Sequence, residues 1–307
     1  MNEVRILIAG SGNTTGINVI RALAPTFQVV GCDYSEINPA NVFCENYLVP
    51  PCYSSTYSTQ ILKLVDTLHI SHIIATNDHD VRSLSLLYDE LKKRNVAFNG
   101  YCRNIFACLD KEQTSNMFLE NRILTPKKLS KNYRIPPFVL RKREMGNERK
   151  FLYIVKNEED LEIVPLEAFE RGILTEYVEG EEYTIDVLCD DNSSLLVAIP
   201  RLRVEIRNGM VWHGKIVKDE VLIDKVGEVV SKIGLKGIAC IQCIKQGDKY
   251  YFIEINPRPG SGIDLSINGN VNLPLLWIQL TLGEKIEIPS PNWGLQLVRY
   301  YTGYFFK

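Results

Sequence analysis

Two rhythms of apolar residues alternate along the first hundred positions. "VRILIAG", "FQVVGCD" and "SHIIATND" are short, nearly continuous apolar runs bounded by glycine or acidic residues, and they predict buried strands. Between them the apolar positions recur at helical spacing. "TTGINVIRALA" carries Ile17, Val19, Ile20 and Leu23; "STQILKLVDTLHI", with Ser58 as its expected cap, carries Ile61, Leu62, Val65 and Leu68. "DVRSLSLLYDELKKRN" continues the rhythm through Val81, Leu84, Leu87, Tyr88 and Leu91. Strands alternating with helices across short turns predict an α/β unit, a doubly wound parallel sheet. Ligands of such sheets bind beyond the strand C-termini. "GSGNTTG", Asp33 and Thr76–Asp78 fall at those ends. Asp33 and Asp78 there suit either helix caps or substrate-binding acids.

The rhythm changes after about residue 103. "LDKEQTSNMFLENRILTPKKL" predicts a helix ending before Thr-Pro, and "PPFVLRKREMGNERKFLYIVKNEEDL" two strands about a polar turn. A helix is expected over "NEEDLEIVPLEAFE". Antiparallel strands are expected through "GILTEYVEGEEYTIDVLCDDNSSLLVAIPRLRVEIRNGMVW", with "DDNSS" and "NGM" as hairpin turns. "DEVLIDKVGEVVSKIG" is an amphipathic helix, and "GIACIQCIKQGDKYYFIEINP" a hairpin. The C-terminal part is therefore α+β with antiparallel sheets.

That hairpin places unusual chemistry on a strand. Alternation puts Glu254 and Asn256 on one face, with Arg258 just beyond. A three-residue turn, Gly247–Lys249, would set Gln242 opposite Glu254 and build an oxygen-rich patch. A two-residue turn at Gly247-Asp248 would pair Gln242 with Ile253 and point the polar groups apart. The first arrangement suits a hard cation such as Mg²⁺ beside phosphates, with Arg258 as a phosphoryl clamp; otherwise the three form a satisfied polar cluster.

Composition narrows the classes. The 307 residues are 45% hydrophobic and 23% charged with a net charge of −2, so no basic field calls for nucleic acid or a membrane surface. No run of about 18 apolar residues predicts a spanning helix, and "MNEVRILIAG" turns too soon to resemble a leader. Eight scattered cysteines are expected as reduced thiols in a cytoplasmic protein. The one CxxC, Cys240 to Cys243, sits in a strand whose alternation points its thiols apart. "GSGNTTG" spaces its glycines one residue too widely for a dinucleotide fingerprint, although Asp33 follows at a suitable distance.

Taken together, "IEINPRPGSGIDLSINGNVNLP", "TEYVEGEEYTIDVL", "LDKEQT" and "GCDYSEINPANVFCENYLVPP" resemble the ATP-grasp superfamily over nearly the whole chain. The resemblance is strongest to its carboxylate–amine ligases of the carbamoyl-phosphate-synthase-like and pyrrolysine-biosynthesis type. It implies a Rossmann-like domain over 1–110, a small lid subdomain over 111–176 and a C-terminal ATP-grasp subdomain over 177–307. It further implies ATP with Mg²⁺, or Mn²⁺ in its place, held by Gln242, Glu254 and Asn256. Arg258 would contact the transferring phosphate. Glu176 and the backbone of Tyr177 and Val178 would face adenine, Glu182 the ribose hydroxyls, and Lys111 the phosphates. Arg141 stands where most relatives have lysine. Arg201, Arg203 and Lys215 are basic residues near the expected acyl-phosphate site, Lys215 counted with Arg141 and Arg258 as catalytic. The segment "REMGNERKF" departs from the family's glycine-rich phosphate loop; Arg143, Arg149 or Lys150 would substitute for its amides.

The implied activity is ATP-dependent ligation of a small-molecule carboxylate and an amine through an acyl phosphate, releasing ADP and phosphate; a homodimer is compatible with it. Two other classes stay open: a nucleotide-binding protein with little turnover, favoured by the glycine-poor loop, and a nicotinamide-dependent oxidoreductase, favoured by "GSGNTTG" and Asp33.

Overall fold

The computed structural model describes residues 4–143, 151–207 and 209–306. Three sheets organise it. The first is parallel and built from β1 (Arg5–Ala9), β2 (Gln28–Asp33), β3 (Glu45–Leu48), β4 (His72–Ala75) and β5 (Ala97–Phe98), in the order β3-β2-β1-β4-β5. The second is antiparallel: β6 (Phe138–Lys142), β7 (Leu152–Val155) and β8 (Gly172–Glu176), in the order β7-β6-β8. The third comprises β9 (Glu181–Cys189), β10 (Leu195–Arg207), β11 (Met210–Ile216), β12 (Gly237–Gln246), β13 (Lys249–Asn256) and β14 (Gln296–Val298). It is antiparallel, in the order β13-β12-β9-β10-β11-β14. The mixed α/β class with a parallel N-terminal sheet and antiparallel sheets beyond it agrees with the pattern of apolar positions.

Local chemistry corrects several boundaries. The second helix starts at Tyr57, so Ser58 lies inside it and caps nothing; Tyr57 is buried and hydrogen-bonds Asp80 instead. The helix expected from Asp80 onward starts at Asp78 and breaks into Asp78–Ser85 and Tyr88–Lys93. Ser85 Oγ bonds back to the Val81 carbonyl at 2.6 Å, a competitor of the helical ladder. Pro165 splits the segment after β7 into Glu158–Glu162 and Leu166–Arg171, because proline lacks the amide a continuous helix needs. The helix Glu220–Ile233 matches its pattern: Asp219 caps it, and Leu222, Val226, Val229, Val230 and Ile233 are buried against the third sheet.

The β12–β13 hairpin combines features of both expected registers. Gln246 pairs with Lys249, so the turn is the two-residue Gly247-Asp248, with Gly247 at φ 58° in the left-handed region such turns require. A bulge then leaves Ile253 without a partner across the strand and restores Gln242 opposite Glu254. The backbone freed by the irregularity is used: the Ile253 carbonyl accepts from Arg141 Nη1 at 3.1 Å. Phe252 and Ile255, three apart, thereby both face the core.

Apolar clusters run unbroken from the first sheet into the third. One joins Leu7, Ile61 and Ile73 to Ile185, Val226 and Ile255; another joins Ile8, Val19 and Ile74 to Ile199, Ile263 and Trp277. The second sheet has a separate small core of Phe138, Leu140, Val155, Val164, Ala168, Phe169 and Leu174.

Candidate active site

A cleft of about 760 Å³ lies between the second and third sheets. Its floor is the face of the third sheet that carries Gln242, Glu254 and Asn256. Cross-strand pairing explains their grouping: Gln242 stands opposite Glu254, and Cys240 opposite Asn256. From the second sheet, β6 brings Arg141 to the same space. The N-terminal end of the helix Lys111–Glu120, capped by Asp110, brings Lys111. Lys111 Nζ lies 3.4 Å from Glu254 Oε1. Burial lowers the Arg141 guanidinium from its ordinary value, opposed by the nearby Glu254 carboxylate. Among the described residues Arg141 Nε has no hydrogen-bond partner. A buried cationic N–H without a partner marks a place where an anion would be stabilised.

The far wall is the stretch linking β8 to β9. Glu176 is held by Lys127: the Glu176 carboxylate accepts from the Lys127 amide at 2.9 Å, and the Glu176 amide donates to the Lys127 carbonyl at 2.9 Å. Tyr177 and Val178 follow in irregular backbone and line the cleft. Gly180 packs on the β12 backbone so closely that a methyl there would lie on the Lys245 carbonyl oxygen. Glu182 also lines the cleft, ion-paired with Arg203, the residue beside it on β10.

The basic residues separate into different tasks. Arg201, one of three basic residues expected near an acyl-phosphate site, is 2% exposed. Its Nη2 donates to Asp186 Oδ1 at 2.7 Å, and Ser266 Oγ donates to Asp186 Oδ2 at 2.6 Å. Burial pulls this guanidinium down, and Asp186 more than offsets it. Gly260 and Gly262 lie against it, where any side chain would collide. Lys215 is not brought to the cleft. It pairs with Leu202 on β10, whereas Arg201 and Arg203 pair with Ile216 and Gly214, and alternation sends Lys215 to the other face.

Arg258 faces the cleft but is engaged by Asp78: Nε to Oδ1 at 2.6 Å and Nη2 to Oδ2 at 3.1 Å. Burial pushes the Asp78 carboxyl up, but the guanidinium beside it more than offsets this and holds it below the usual carboxylate range. Asp78 is no cap, because Asn77 supplies that bond through Asp80 N–H. Arg143 pairs with Asp110 and Glu112, outside the cleft lining. Gly146, Arg149 and Lys150 of the substitute phosphate loop lie outside the described residues.

Sequence reasoning missed Asp186 and the interlock of Arg258 with Asp78. An acid inside the apolar run "TIDVLC" was the available signal for the first, since a buried carboxylate needs a cation. Nothing in sequence signals the second.

The donors fit a hard cation that shares its coordination with phosphates: one carboxylate and two amide oxygens on one face, with cations nearby to hold the anion. Among the described residues no cluster of three or more His, Cys, Asp or Glu side chains could hold a metal by itself. The glycine turn of the first sheet is closed on itself. Gly10 and Ser11 amides donate to the Cys32 carbonyl at 3.0 and 3.2 Å, and the Gly12 amide donates to Asp33 Oδ2 at 3.0 Å. Asp33 also accepts from the Ser35 amide at 3.1 Å, so its carboxylate is committed to the loop. Among the described residues no helix is long and apolar enough to cross a membrane, and all eight cysteines are free thiols.

Comparison with known proteins bears on this geometry. Residues 168–302 match a family described as ATP-grasp in the biosynthetic pathway with Ter operon. A D-alanine–D-alanine ligase of Petrotoga mobilis is 26% identical over 141 residues, 40% of this chain and 47% of that protein. The carbamoyl phosphate synthase large chain of Lachnoclostridium phytofermentans is 26% identical over 151 residues, 45% of this chain and 14% of that one. The matched segments thus span less than half of these curated relatives. The fold of N5-carboxyaminoimidazole synthetase from Staphylococcus aureus, complexed with ADP, superposes with a TM-score of 0.74 at 17% identity. It covers 93% of this chain and 79% of that one. Over residues 168–302 the chain is thus similar to an ATP-grasp family, and its fold is that of the synthetase above.

Proposed function

We propose that this chain is an ATP-dependent ligase joining a small-molecule carboxylate to an amine through an acyl phosphate, with release of ADP and phosphate. The observation that carries the reading is the convergence of Lys111, Arg141 and the Gln242–Glu254–Asn256 face on one cleft, walled by Glu176–Val178 and Glu182. The curated relatives that match are themselves named as a ligase and a synthase.

Each residue has a task in this reading. Tyr177 and Val178 hold the adenine through backbone groups, and Glu182, released in part from Arg203, accepts from the ribose hydroxyls. Lys111 and Arg141 orient the phosphates and neutralise the charge that builds on the transferring group. Glu254, Asn256 and Gln242 would hold Mg²⁺ against the phosphate oxygens, where it supplies further charge neutralisation. A carboxylate oxygen of the substrate bonds to the γ-phosphorus while the bond to the β–γ bridging oxygen breaks, leaving ADP. The amine nitrogen then bonds to the acyl carbon, the phosphate departs with the C–O electron pair, and the amine gives up a proton. An acyl phosphate is prone to hydrolysis, so closure of the second sheet over the cleft would keep water out.

The test is ADP release across pools of carboxylates and amines, with Glu254→Gln beside the parent. Losing one such electrostatic element costs on the order of 100- to 1000-fold in turnover. Melting should move far less, because Glu254 faces the cleft. Normal ADP release by the folded variant would remove the metal-ligand role. Equal or greater thermal stabilisation by NADPH than by ATP with Mg²⁺ would remove the nucleotide assignment.

A further inference from the structure

The donors of Arg258 can be accounted for almost completely. A guanidinium has five N–H bonds. Nε and one Nη2 hydrogen go to Asp78, the other Nη2 hydrogen goes to Asn256 Oδ1 at 3.2 Å, and Nη1 donates to the Pro259 carbonyl at 3.0 Å. The arginine is therefore locked, with one Nη1 hydrogen left over. Its lock is an acid 180 residues away in sequence, on the first sheet's side of the molecule. The pair is largely withdrawn from water, the side chains being 17% and 28% exposed. Next to it, Gly100 at φ 89° sits against the Pro257 carbonyl where no side chain would fit, so the backbone leading to Arg258 is fixed as well.

The Asn256 bond has a chemical consequence. An asparagine amide presents either an oxygen, which a cation attracts, or an NH₂, which it repels, and a flip of the amide exchanges them. With Oδ1 accepting from Arg258, a flip would set NH₂ against guanidinium. The oxygen's remaining lone pair stays available on the side of Glu254 and Gln242.

We infer that Asp78 is a positioning residue: by clamping Arg258 it fixes which atom Asn256 presents, and so makes the oxygen face of the cleft competent for a divalent cation bound with nucleotide phosphate. This rests on the ligase reading for the site but concerns a residue at the edge of the cleft to which that reading gives no contact with nucleotide or cation. It also assigns Arg258 to orienting Asn256 rather than to standing free as a phosphate clamp. The helix start gives no other reason for the acid, since Asn77 already caps it.

The experiment is thermal melting of the full chain at fixed ADP while Mg²⁺ is titrated, with a parallel series of ADP in EDTA. For Asp78→Asn the Mg²⁺ midpoint should rise about tenfold or more, the usual effect of losing an outer partner of a ligand. Stabilisation by ADP in EDTA should match the parent. Asp78→Glu, which keeps the charge, should recover most of the difference. An unchanged Mg²⁺ midpoint in Asp78→Asn overturns the inference. So does stronger stabilisation of that variant by ADP in EDTA, which would make Asp78 a competitor of the phosphates. If Asp78→Asn does not fold, Arg258→Lys answers the same question, because lysine cannot span Asp78 and Asn256 together; a parent-like midpoint there also overturns it. A parent that ADP fails to stabilise at any Mg²⁺ concentration removes the nucleotide reading and this inference with it.

Discussion

His72 shows how far a single side chain can be moved from its solution chemistry. Its ring lies between Ser71 Oγ at 2.8 Å and Thr281 Oγ1 at 2.9 Å, edge-on to Trp277, and is 4% exposed. Burial pulls its pKa down to about 4. The folded state thus resists a proton that the unfolded chain accepts near pH 6.5. Its contribution is fully present above that pH and is lost as pH falls toward 4. At pH 4.5 the loss should reach about 2.5 kcal/mol. Urea unfolding at pH 7.5 and 4.5 should therefore show His72→Gln losing less stability than the parent by about that amount. Equal pH sensitivity of the two would show that the ring is not protonated on unfolding. At this scale the sequence was readable for residue type and poorly readable for partner. Glu254, Asn256 and Arg141 could be singled out as polar groups in strand contexts. That Arg201 would be buried on Asp186, or Arg258 locked by Asp78, depends on how distant segments meet, which no local pattern carries.

Among the elements, those with strong periodicity were legible and those set by a local exception were not. The parallel sheet and the helix Glu220–Ile233 follow directly from spacing. The edge strand β3 escaped because "ENYL" is short and half polar. The hairpin register was undecidable because a turn and a bulge each shift it by one residue, and only the turn leaves a mark in composition. The stretch between β8 and β9 makes a sharper test of packing. Gly180→Ala sets a methyl against the Lys245 carbonyl, a backbone atom that cannot swing aside. It should cost about 1–3 kcal/mol in urea unfolding and, if this wall holds adenine as proposed, weaken ATP stabilisation. Gly227→Ala is the control. It lies mid-helix with only Leu195 at ordinary contact distance, 3.6 Å, and should raise stability by about 0.5–1 kcal/mol. A Gly180→Ala loss under about 1 kcal/mol would show that the stretch between β8 and β9 moves aside.

At the scale of the whole molecule, the first and third sheets are one body, and a single amide contributes to joining them. Asn99, just past β5 and 1% exposed, donates Nδ2 to the Ile238 carbonyl at 3.2 Å and accepts the Ile238 amide on Oδ1 at 2.7 Å. Its side chain thereby completes the start of β12 as a neighbouring strand would. Asn99→Leu leaves two buried backbone groups unpaired and should cost about 2–4 kcal/mol, read as a drop in the urea midpoint with unchanged slope. A loss under 1 kcal/mol would mean that water replaces both bonds.

The second sheet takes no part in either shared apolar cluster, although Arg141 bonds it to the Ile253 carbonyl of β13. Among the described residues its buried core of seven is its own, so little of the apolar packing that holds the rest of the chain opposes its opening. Deuterium uptake should expose this as a second clock within one chain. Amides of β6 and β8 should exchange through a local opening, far sooner than those of β9 and β12, which should wait for unfolding of the common body. In the proposed reading nucleotide with Mg²⁺ would contact both sides of the cleft, so it should slow β6 and β8 until the two clocks run closer together. The width of the gap in the free protein then measures the free energy kept available for closing over a substrate.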